Sequence, residues 1–194
     1  ELTKFAQDND VVGIIGGPPC QGFSTVGTRD INDPRNHLYL EYCRVVETIQ
    51  PDFFVLENVK GLTTLSGGAF RDDIILRFEN LGYRVKYEIV NAADFGIPQN
   101  RKRVFFLGIK NKEFTFPKHK GKIITSKEAI CDLPALSDED GDSETYTYAC
   151  EPQNTYQENM RGNRVNVYNH QITKHTQQTK DIIALIPDGG KIRD

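Results

Sequence analysis

Apolar residues in the first part of the chain fall into short continuous runs separated by stretches with helical spacing. Residues 11–15 form a short β-branched run that stops at two glycines and two prolines, at positions 16–19. This pattern predicts a buried strand followed by a sharp loop. Residues 53–56 predict a second buried strand. Between the two runs, residues 36–50 carry apolar side chains at steps of three and four, which predicts an amphipathic helix ended by Pro51.

The same alternation continues to about position 110. Residues 70–81 predict a second helix, capped by Gly82, and residues 84–90 and 104–109 predict two further strands joined by the loop 91–103. A strand–helix–strand–helix–strand series predicts an α/β fold with a parallel sheet covered by helices. Farther along, residues 138–147 are polar and predict an exposed loop, and residues 176–185 predict a last helix.

Two chemically reactive side chains follow two of the predicted strands. Cys20 comes after the first strand and Glu57 comes directly after the second. Ligands of open α/β sheets bind beyond the carboxyl ends of the strands, so both side chains are expected to face one crevice. A thiol and a carboxyl group in one crevice indicate a covalent nucleophile with an acid/base partner.

The composition and the spacing of potential metal ligands argue against a membrane protein and against a metal site. The 194 residues carry a formal net charge of −3 and contain no apolar run long enough to cross a bilayer, so we expect no membrane association. The four cysteines are far apart and have no zinc-ligand spacing, and the four histidines show no metal spacing either. We therefore expect no metal, free thiols and a cytoplasmic location. Cys43, on the apolar face of its predicted helix, is interpreted as structural, as are Cys131 and Cys150.

Charge is unevenly distributed in the second half of the chain. Residues 101–127 hold nine Lys or Arg residues and one acidic residue, whereas residues 128–151 hold eight acidic residues and no Lys or Arg. Such a segment can give a slightly acidic protein a local basic surface for nucleic acid. Two solvated loop faces without a partner would produce the same pattern, so charge alone leaves the partner open.

Five ordered motifs in the first 110 residues resemble those of the DNA (cytosine-5)-methyltransferases, and in particular bacterial modification methylases. Their sequences are GGPPCQGFS at 16–24, DPRNHL at 33–38, ENV at 57–59, NAADFGIP at 91–98 and QNRKR at 99–103. The resemblance implies a Rossmann-like fold that uses S-adenosylmethionine as the methyl donor. It also implies that the substrate is a cytosine flipped out of double-stranded DNA.

The resemblance also assigns roles to individual residues. Cys20 would add to C6 of the cytosine, and Glu57 would contact N3 and the exocyclic amine. Arg103 would hold the cytosine carbonyl or a phosphate and help to position Glu57, and Arg101 would serve the same region. A guanidinium suits both tasks because it stays charged and its planar fork binds oxygen pairs.

The remaining expected site residues are contacts to substrate or cofactor. Those assigned to substrate binding are Gln21, Ser24, Asn58 and Gln99. Pro19 and Leu38 are assigned to the methyl donor, although core packing explains Leu38 equally well.

Some motifs of the methyltransferase family have no counterpart in this sequence. The N-terminal methyl-donor motif of the family and its C-terminal motif are absent from the sequence, so we expect a partial catalytic domain in residues 1–127. Residues 128–194 are expected to be a linker and the start of a target-recognition region, which residues 169–170 and 186–190 resemble. This piece alone is expected to be weakly active or inactive, and restoring the missing flanks should raise methyl transfer.

Two other classes of function remain open at this point. The chain could be a non-catalytic or split-subunit relative that binds nucleic acid, or a methyltransferase that acts on cytosine in RNA. A cysteine hydrolase has little support because no histidine stands in place as a partner base. A bacterial restriction–modification role, close to the nucleoid, fits the resemblance best. Neither the recognition sequence nor the oligomeric state can be inferred from these residues.

Overall fold

The structure, a computed structural model, describes residues 1–19, 38–118, 121–136, 145–187 and 190. The chain divides into two compact units, Glu1–Ile123 and Ile124–Asp194, which are described separately below.

The first unit contains a four-stranded sheet and three helices. Its elements in chain order are α1 (Leu2–Asp8), β1 (Gly13–Gly16), α2 (Leu38–Ile49), β2 (Phe53–Val59), α3 (Ala69–Asn80), β3 (Arg84–Asn91) and β4 (Lys102–Ile109). Short 3-10 turns at Lys60–Thr63, Leu65–Gly68 and Ala92–Phe95 connect some of them. The predicted strands and both predicted helices of this region are confirmed. Their ends differ from the prediction by a few residues, and α1 was not predicted.

The strands β1, β2 and β3 run in one direction, as predicted for the strand–helix series, and β4 runs in the other. The strand order is β1-β2-β4-β3; β1 and β2 are parallel, but β4 runs antiparallel to both of its neighbours. A parallel neighbour needs a crossover connection of a dozen or more residues, usually helical. The connection from β3 to β4 contains only a 3-10 turn and a loop, so the two strands form an antiparallel pair. The fold class nevertheless stands as a mixed α/β sheet.

The core lies between one face of this sheet and the helices α2 and α3. Alternate residues of β2 and β4 point into it and are fully buried, as are Val46 of α2 and the α3 residues Ile74 and Phe78. The rings of Phe54 and Phe78 lie 3.9 Å apart between centroids. The period-two burial of β2 is the pattern expected of a strand with one covered face. The helices therefore pack on the face of the sheet opposite to the Glu57 side chain.

Gly82 ends α3 as predicted. Its φ of +86° is the left-handed conformation that glycine adopts without strain. The Gly82 N–H donates to the Glu79 carbonyl at 2.9 Å, and the Tyr83 N–H donates to the Phe78 carbonyl at 3.1 Å. These bonds satisfy carbonyls that the helix end would leave free, and they turn the chain into β3.

Gly108 offers a test of this core. A Cβ at position 108 would lie 2.0 Å from a ring carbon of Phe54, the residue opposite it on β2. Gly108→Ala is therefore expected to lower the free energy of unfolding by about 1–3 kcal/mol, measured by urea denaturation. Adding Phe54→Leu should make room for the methyl group and recover part of that loss. An unchanged urea midpoint in Gly108→Ala would contradict the packing described here.

The second unit is smaller and is organised around polar side chains. Its elements are α4 (Ser126–Ile130), β5 (Thr145–Thr147), α5 (Thr155–Arg161), β6 (Asn166–Tyr168) and α6 (Gln177–Ala184), with β5 and β6 antiparallel. Gln157 is 1% exposed, and its amide nitrogen donates to the Glu128 carbonyl at 2.8 Å. Thr125 and Glu128 cap α4 reciprocally.

Two predictions fall in this unit. The predicted helix 176–185 is confirmed as α6, with the Thr176 side chain accepting from the Thr179 N–H at its start. The predicted loop 138–147 is wrong at its end, where Thr145–Thr147 pair with β6; residues 138–144 lie outside the described residues. Threonine and tyrosine favour strands once a partner strand supplies the hydrogen bonds.

Within the described ranges, no helix is both long and apolar enough to span a bilayer. Nor does the described part of the chain contain a group of three or more metal-ligating side chains.

Candidate active site

Four strand ends meet at one edge of the sheet, which we call the carboxyl edge. It is formed by the ends of β1, β2 and β3 and by the start of β4. Because β4 is antiparallel, its first residues lie beside the last residues of β2, with Arg103 opposite Val59. The carboxyl edge therefore gathers side chains that stand up to about ninety positions apart in the sequence.

Glu57 and Arg103 form an ion pair at this edge. Glu57 lies inside β2 rather than after it, because the strand continues to Val59. The Arg103 Nε lies 3.0 Å from Glu57 Oε1, and the two side chains are 25% and 35% exposed. A pair this accessible contributes at most about 1 kcal/mol to stability. The ion pair is therefore informative mainly for its position, because it holds the Glu57 carboxylate at the carboxyl edge of the sheet.

Arg103 has binding capacity beyond this pair. One of its Nη1–H groups donates to the carbonyl of Lys102 at 2.9 Å. Among the described residues, this is the hydrogen bond that the guanidinium donates, and Nε approaches Glu57 as an ion pair. A guanidinium carries five N–H groups in a planar fork, which suits an oxygen-bearing ligand at the carboxyl edge.

The chain leaving β1 runs directly past Glu57. An added Cβ on Gly17 would lie 3.0 Å from Glu57 Oε2, so the glycine backbone itself borders the carboxylate. The next residue is fixed as well, because the Asn58 side-chain amide donates to the Pro18 carbonyl at 3.1 Å. Cys20 follows two positions later and lies outside the described residues. The segment that leads to it begins beside Glu57.

Asn58 is almost fully buried, at 4% exposure. Its Nδ2 donates to Pro18, and its Oδ1 accepts from the Val59 N–H at 2.8 Å. Both ends of the carboxamide therefore contact backbone. In this arrangement Asn58 joins the turn after β1 to the end of β2.

Gln99 and Arg101 lie in the loop before β4, and both are exposed. The Arg101 N–H donates to the Gln99 carbonyl at 3.0 Å, and the Arg101 carbonyl accepts from the Ala92 N–H at 2.9 Å. These bonds hold the loop at the carboxyl edge. Both side chains extend from its backbone to solvent.

The remaining predicted site residues divide into two groups. Pro19 is exposed just beyond β1, and Leu38, the first residue of α2, is 36% exposed. Gln21 and Ser24, like Cys20, lie outside the described residues.

The other cysteines differ from one another. Burial raises the pKa of Cys43 to about 12, so this thiol stays protonated near neutrality. Cys131 and Cys150 are exposed free thiols. Cys43 packs in the core between the sheet and the helices, in agreement with its structural interpretation.

Two features of this edge were not predicted from the sequence. The first is Tyr42, whose hydroxyl reaches the backbone of both β1 and β2; helical spacing marked it only as an apolar-face residue. The second is a cavity of about 490 Å³ at the end of β3, bordered by Glu88, Asp94, Phe95 and Lys118 among others. The Oδ1 of Asn91 is buried there without a hydrogen-bond partner among the described residues. Neither feature has a signal in local sequence, because both depend on residues brought together by folding.

Comparison with known proteins identifies relatives over nearly the whole chain. A sequence profile of the C-5 cytosine-specific DNA methylases matches residues 1–191. Type II methyltransferase M.DdeI of Desulfomicrobium norvegicum is 43% identical over 196 residues, which cover 95% of this chain and 47% of the relative. Type II methyltransferase M1.HphI of Haemophilus parahaemolyticus is 37% identical over 207 residues, covering 100% of this chain and 50% of the relative. The chain thus spans about half the length of these relatives.

Solved structures resemble the chain as well. An E. coli protein described as a DNA modification methyltransferase encoded within a prophage superimposes with a TM-score of 0.71 at 28% identity. That match covers 94% of this chain and 58% of the other. The methyltransferase EhMeth of Entamoeba histolytica superimposes with a TM-score of 0.53 at 22% identity, covering 70% of this chain and 43% of the other, and shares the fold.

Proposed function

Because this chain belongs to the C-5 cytosine-specific DNA methylases, we propose that it carries the cytosine-side chemistry of methyl transfer to C5 in double-stranded DNA. The observation that supports this most directly is the Glu57–Arg103 pair beside the turn that leads to Cys20. A pyrimidine attacked by a thiolate would need a carboxyl group beside N3 and a guanidinium beside its carbonyl oxygen, and this pair could supply both. By the same proposal, S-adenosylmethionine is the methyl donor.

In the proposed reaction the Cys20 thiolate forms a bond to C6 of the cytosine. The electron pair of the C5–C6 double bond moves onto C5 and, through the conjugated C4–N3 bond, onto N3, so that C5 becomes nucleophilic. Glu57 hydrogen-bonds N3 and the exocyclic amine, which stabilises the charge arriving on the ring. After C5 has taken the methyl group, loss of the C5 proton restores the double bond and expels the thiolate.

Arg103 and Arg101 are proposed to bind oxygen atoms of the substrate. Arg103 contacts the Glu57 carboxylate through Nε, which leaves other N–H groups for the cytosine carbonyl or a neighbouring phosphate. Arg101, exposed on the preceding loop, would serve the same region. Gln21, Ser24 and Gln99 are proposed to contact DNA, and base flipping is required because the ring is inaccessible inside a stacked duplex. For Asn58, the backbone contacts described above favour positioning over substrate binding.

S-adenosylmethionine would supply an electrophilic methyl group to the activated C5. Pro19 and Leu38 are exposed apolar side chains close to the start of the reactive loop and of α2, and they fit an apolar wall for this donor. They offer no polar side chain for its ribose. Under this proposal the two residues would form only part of a donor site.

Residues 1–127 are proposed to carry catalysis and residues 128–194 to lead into target recognition, a division four residues from the boundary between the two compact units. The related type II methyltransferases suggest a modification enzyme of a bacterial restriction–modification system, acting on DNA in the cytoplasm.

Trapping with modified DNA tests the proposed function. A duplex that contains 5-fluorocytosine at its target should form a covalent adduct with the protein, expressed at the full length that its gene encodes, and only with the methyl donor present. Transfer RNA should not compete. An adduct that transfer RNA suppresses would favour an RNA substrate, and tight DNA binding without any adduct would indicate a non-catalytic relative.

Gly17 provides a prediction about the geometry of this site. The Cβ of Gly17→Ala would lie 3.0 Å from Glu57 Oε2, a distance at which the carboxylate or the turn has to move. Since a displacement near 1 Å at a reacting group can cost about 100-fold in rate, we expect a 10- to 100-fold loss of methyl transfer. Steady-state kinetics would measure this, with the thermal midpoint as the check on folding. Full activity in Gly17→Ala would show that this contact does not set the geometry.

A further inference from the structure

Tyr42 joins the two strands that lead to the proposed catalytic residues. Its hydroxyl lies 3.1 Å from the Ile14 carbonyl of β1 and 2.9 Å from the Val55 carbonyl of β2. Val55 stands two residues before Glu57, and Ile14 stands three before Gly17. The hydroxyl thus binds both strands just before they enter the site.

The ring of Tyr42 supports the end of β1 directly. A Cβ on Gly16 would lie 2.6 Å from a ring carbon, so the ring occupies the space that a side chain at position 16 would need. The same ring packs edge-on against Phe54 and Phe78 in the core, with centroids 6.4 and 6.3 Å away. Tyr42 is therefore held in place by the core and contacts the last residue of β1.

The hydroxyl is a donor across the whole working pH range. Burial raises the pKa of Tyr42 well above its usual value. Its one proton serves two carbonyl acceptors on adjacent strands, so replacing the hydroxyl removes a link to both strands while the ring can stay in place.

A second connection reaches the turn itself. Asn58 donates to the Pro18 carbonyl, as described above, and so holds the chain one residue after Gly17. Tyr42 thus holds the strand end before the turn, and Asn58 holds the turn. Between them, Gly17 borders the Glu57 carboxylate.

We propose that Tyr42 is a positioning residue for the cytosine chemistry, whose hydroxyl holds the end of β1 against β2 and thereby sets the distance from the turn before Cys20 to the Glu57 carboxylate. This inference rests on the proposed function. Tyr42 does not contact the substrate in this scheme; it acts through the backbone of Ile14 and Val55. Its loss should therefore lower the rate of the covalent step and leave DNA affinity unchanged.

Tyr42→Phe tests this directly, and Tyr83→Phe is a matched control. Tyr83 packs against Phe54, as Tyr42 does, but is buried at 3% exposure where Tyr42 is half-buried, and its hydroxyl donates to the Pro51 carbonyl at 2.7 Å. That carbonyl precedes β2, at the end of the strand away from Glu57. Both variants lose one hydroxyl that donates to backbone, so both should lose a modest amount of stability, about 1 kcal/mol by urea denaturation. Only Tyr42→Phe should affect the chemistry.

The readout is exchange of the C5 hydrogen in the absence of the methyl donor. The full-length protein is incubated with duplex DNA that carries tritium at C5 of cytosine. Thiolate addition at C6 lets C5 take a proton from water; loss of the tritium and expulsion of the thiolate then regenerate cytosine and release tritiated water. This measures addition to the base without methyl transfer.

We expect Tyr42→Phe to slow tritium release 10- to 100-fold, with the DNA dissociation constant within twofold of the unsubstituted protein. Tyr83→Phe should release tritium at the normal rate. Gly16→Ala, which pushes the Tyr42 ring while keeping its hydroxyl, should also slow release. Equal rates in Tyr42→Phe and Tyr83→Phe would overturn the positioning role. Absence of tritium release from the unsubstituted protein would instead refute the proposed function on which that role depends.

Discussion

Cys20→Ala is expected to abolish both methyl transfer and the adduct with 5-fluorocytosine DNA, with a loss of about 10⁴-fold or more in kcat. The reason is chemical: C5 of cytosine is a poor nucleophile until a thiolate has added at C6. Alanine removes the sulfur atom that is proposed to form this bond. Substrate binding should survive, because the guanidinium groups that are proposed to bind the DNA are untouched.

Cys131→Ala is the appropriate control for this variant. Cys131 is an exposed free thiol in the second unit, so its removal tests whether any accessible thiol of the chain can form the adduct. We expect full activity and full adduct yield. Mass spectrometry of the trapped complex should place the DNA on the peptide that contains Cys20. An adduct on another cysteine would remove the basis of the proposed mechanism.

The second large effect is expected at Glu57. Glu57→Gln keeps the size and the hydrogen-bonding oxygen of the side chain but removes its charge and its capacity to share a proton with N3. General acid–base groups typically contribute about 10²- to 10⁴-fold, so kcat should fall by that amount. The stability should change little, because the ion pair with Arg103 is partly exposed on both sides and is worth at most about 1 kcal/mol.

Glu41→Gln is the matched control for Glu57→Gln. Glu41 also pairs with an arginine, at 2.8 Å from Arg44 Nε, but on the exposed surface of α2. The two variants remove the same charge from comparable pairs, so they should have similar thermal midpoints, while only Glu57→Gln should lose activity. If both variants keep full activity, the carboxylate has no role in the reaction. If Glu57→Gln unfolds instead, the pair has a structural role that its exposure does not suggest.

Much of the fold follows from local sequence. The apolar runs at β1 and β2, the helical spacing of α2 and α3, and the glycine after α3 each predicted an element that the structure confirms. These signals are local because burial on one face imposes a period of 2 on a strand and 3.6 on a helix. The segments at α1, α4 and α5 are short, between five and seven residues, and lack a repeated apolar face, so periodicity did not reveal them.

The sequence also determined which groups are proposed to react, because the thiol, the carboxyl group and the two guanidinium groups stand in its ordered motifs. The spatial relation of Glu57 and Arg103 was decided only by the tertiary structure. Had β4 been parallel to β2, Arg103 would lie at the edge of the sheet opposite to Glu57. The antiparallel pairing brings Arg103 Nε to 3.0 Å from the Glu57 carboxylate.

The links that hold the site together have the same origin. In the sequence, Tyr42 stands out only as a residue on the apolar face of a helix, and Asn58 only as a residue near the end of a strand. Each acquires its role from a carbonyl group that is distant in sequence, 13 and 28 positions away for Tyr42 and 40 for Asn58. Side-chain chemistry is a property of each residue, but strand direction and hydrogen bonds to distant backbone depend on how loops close and which faces pack. Strand direction and these distant hydrogen bonds are therefore determined by the tertiary structure and not by any local segment.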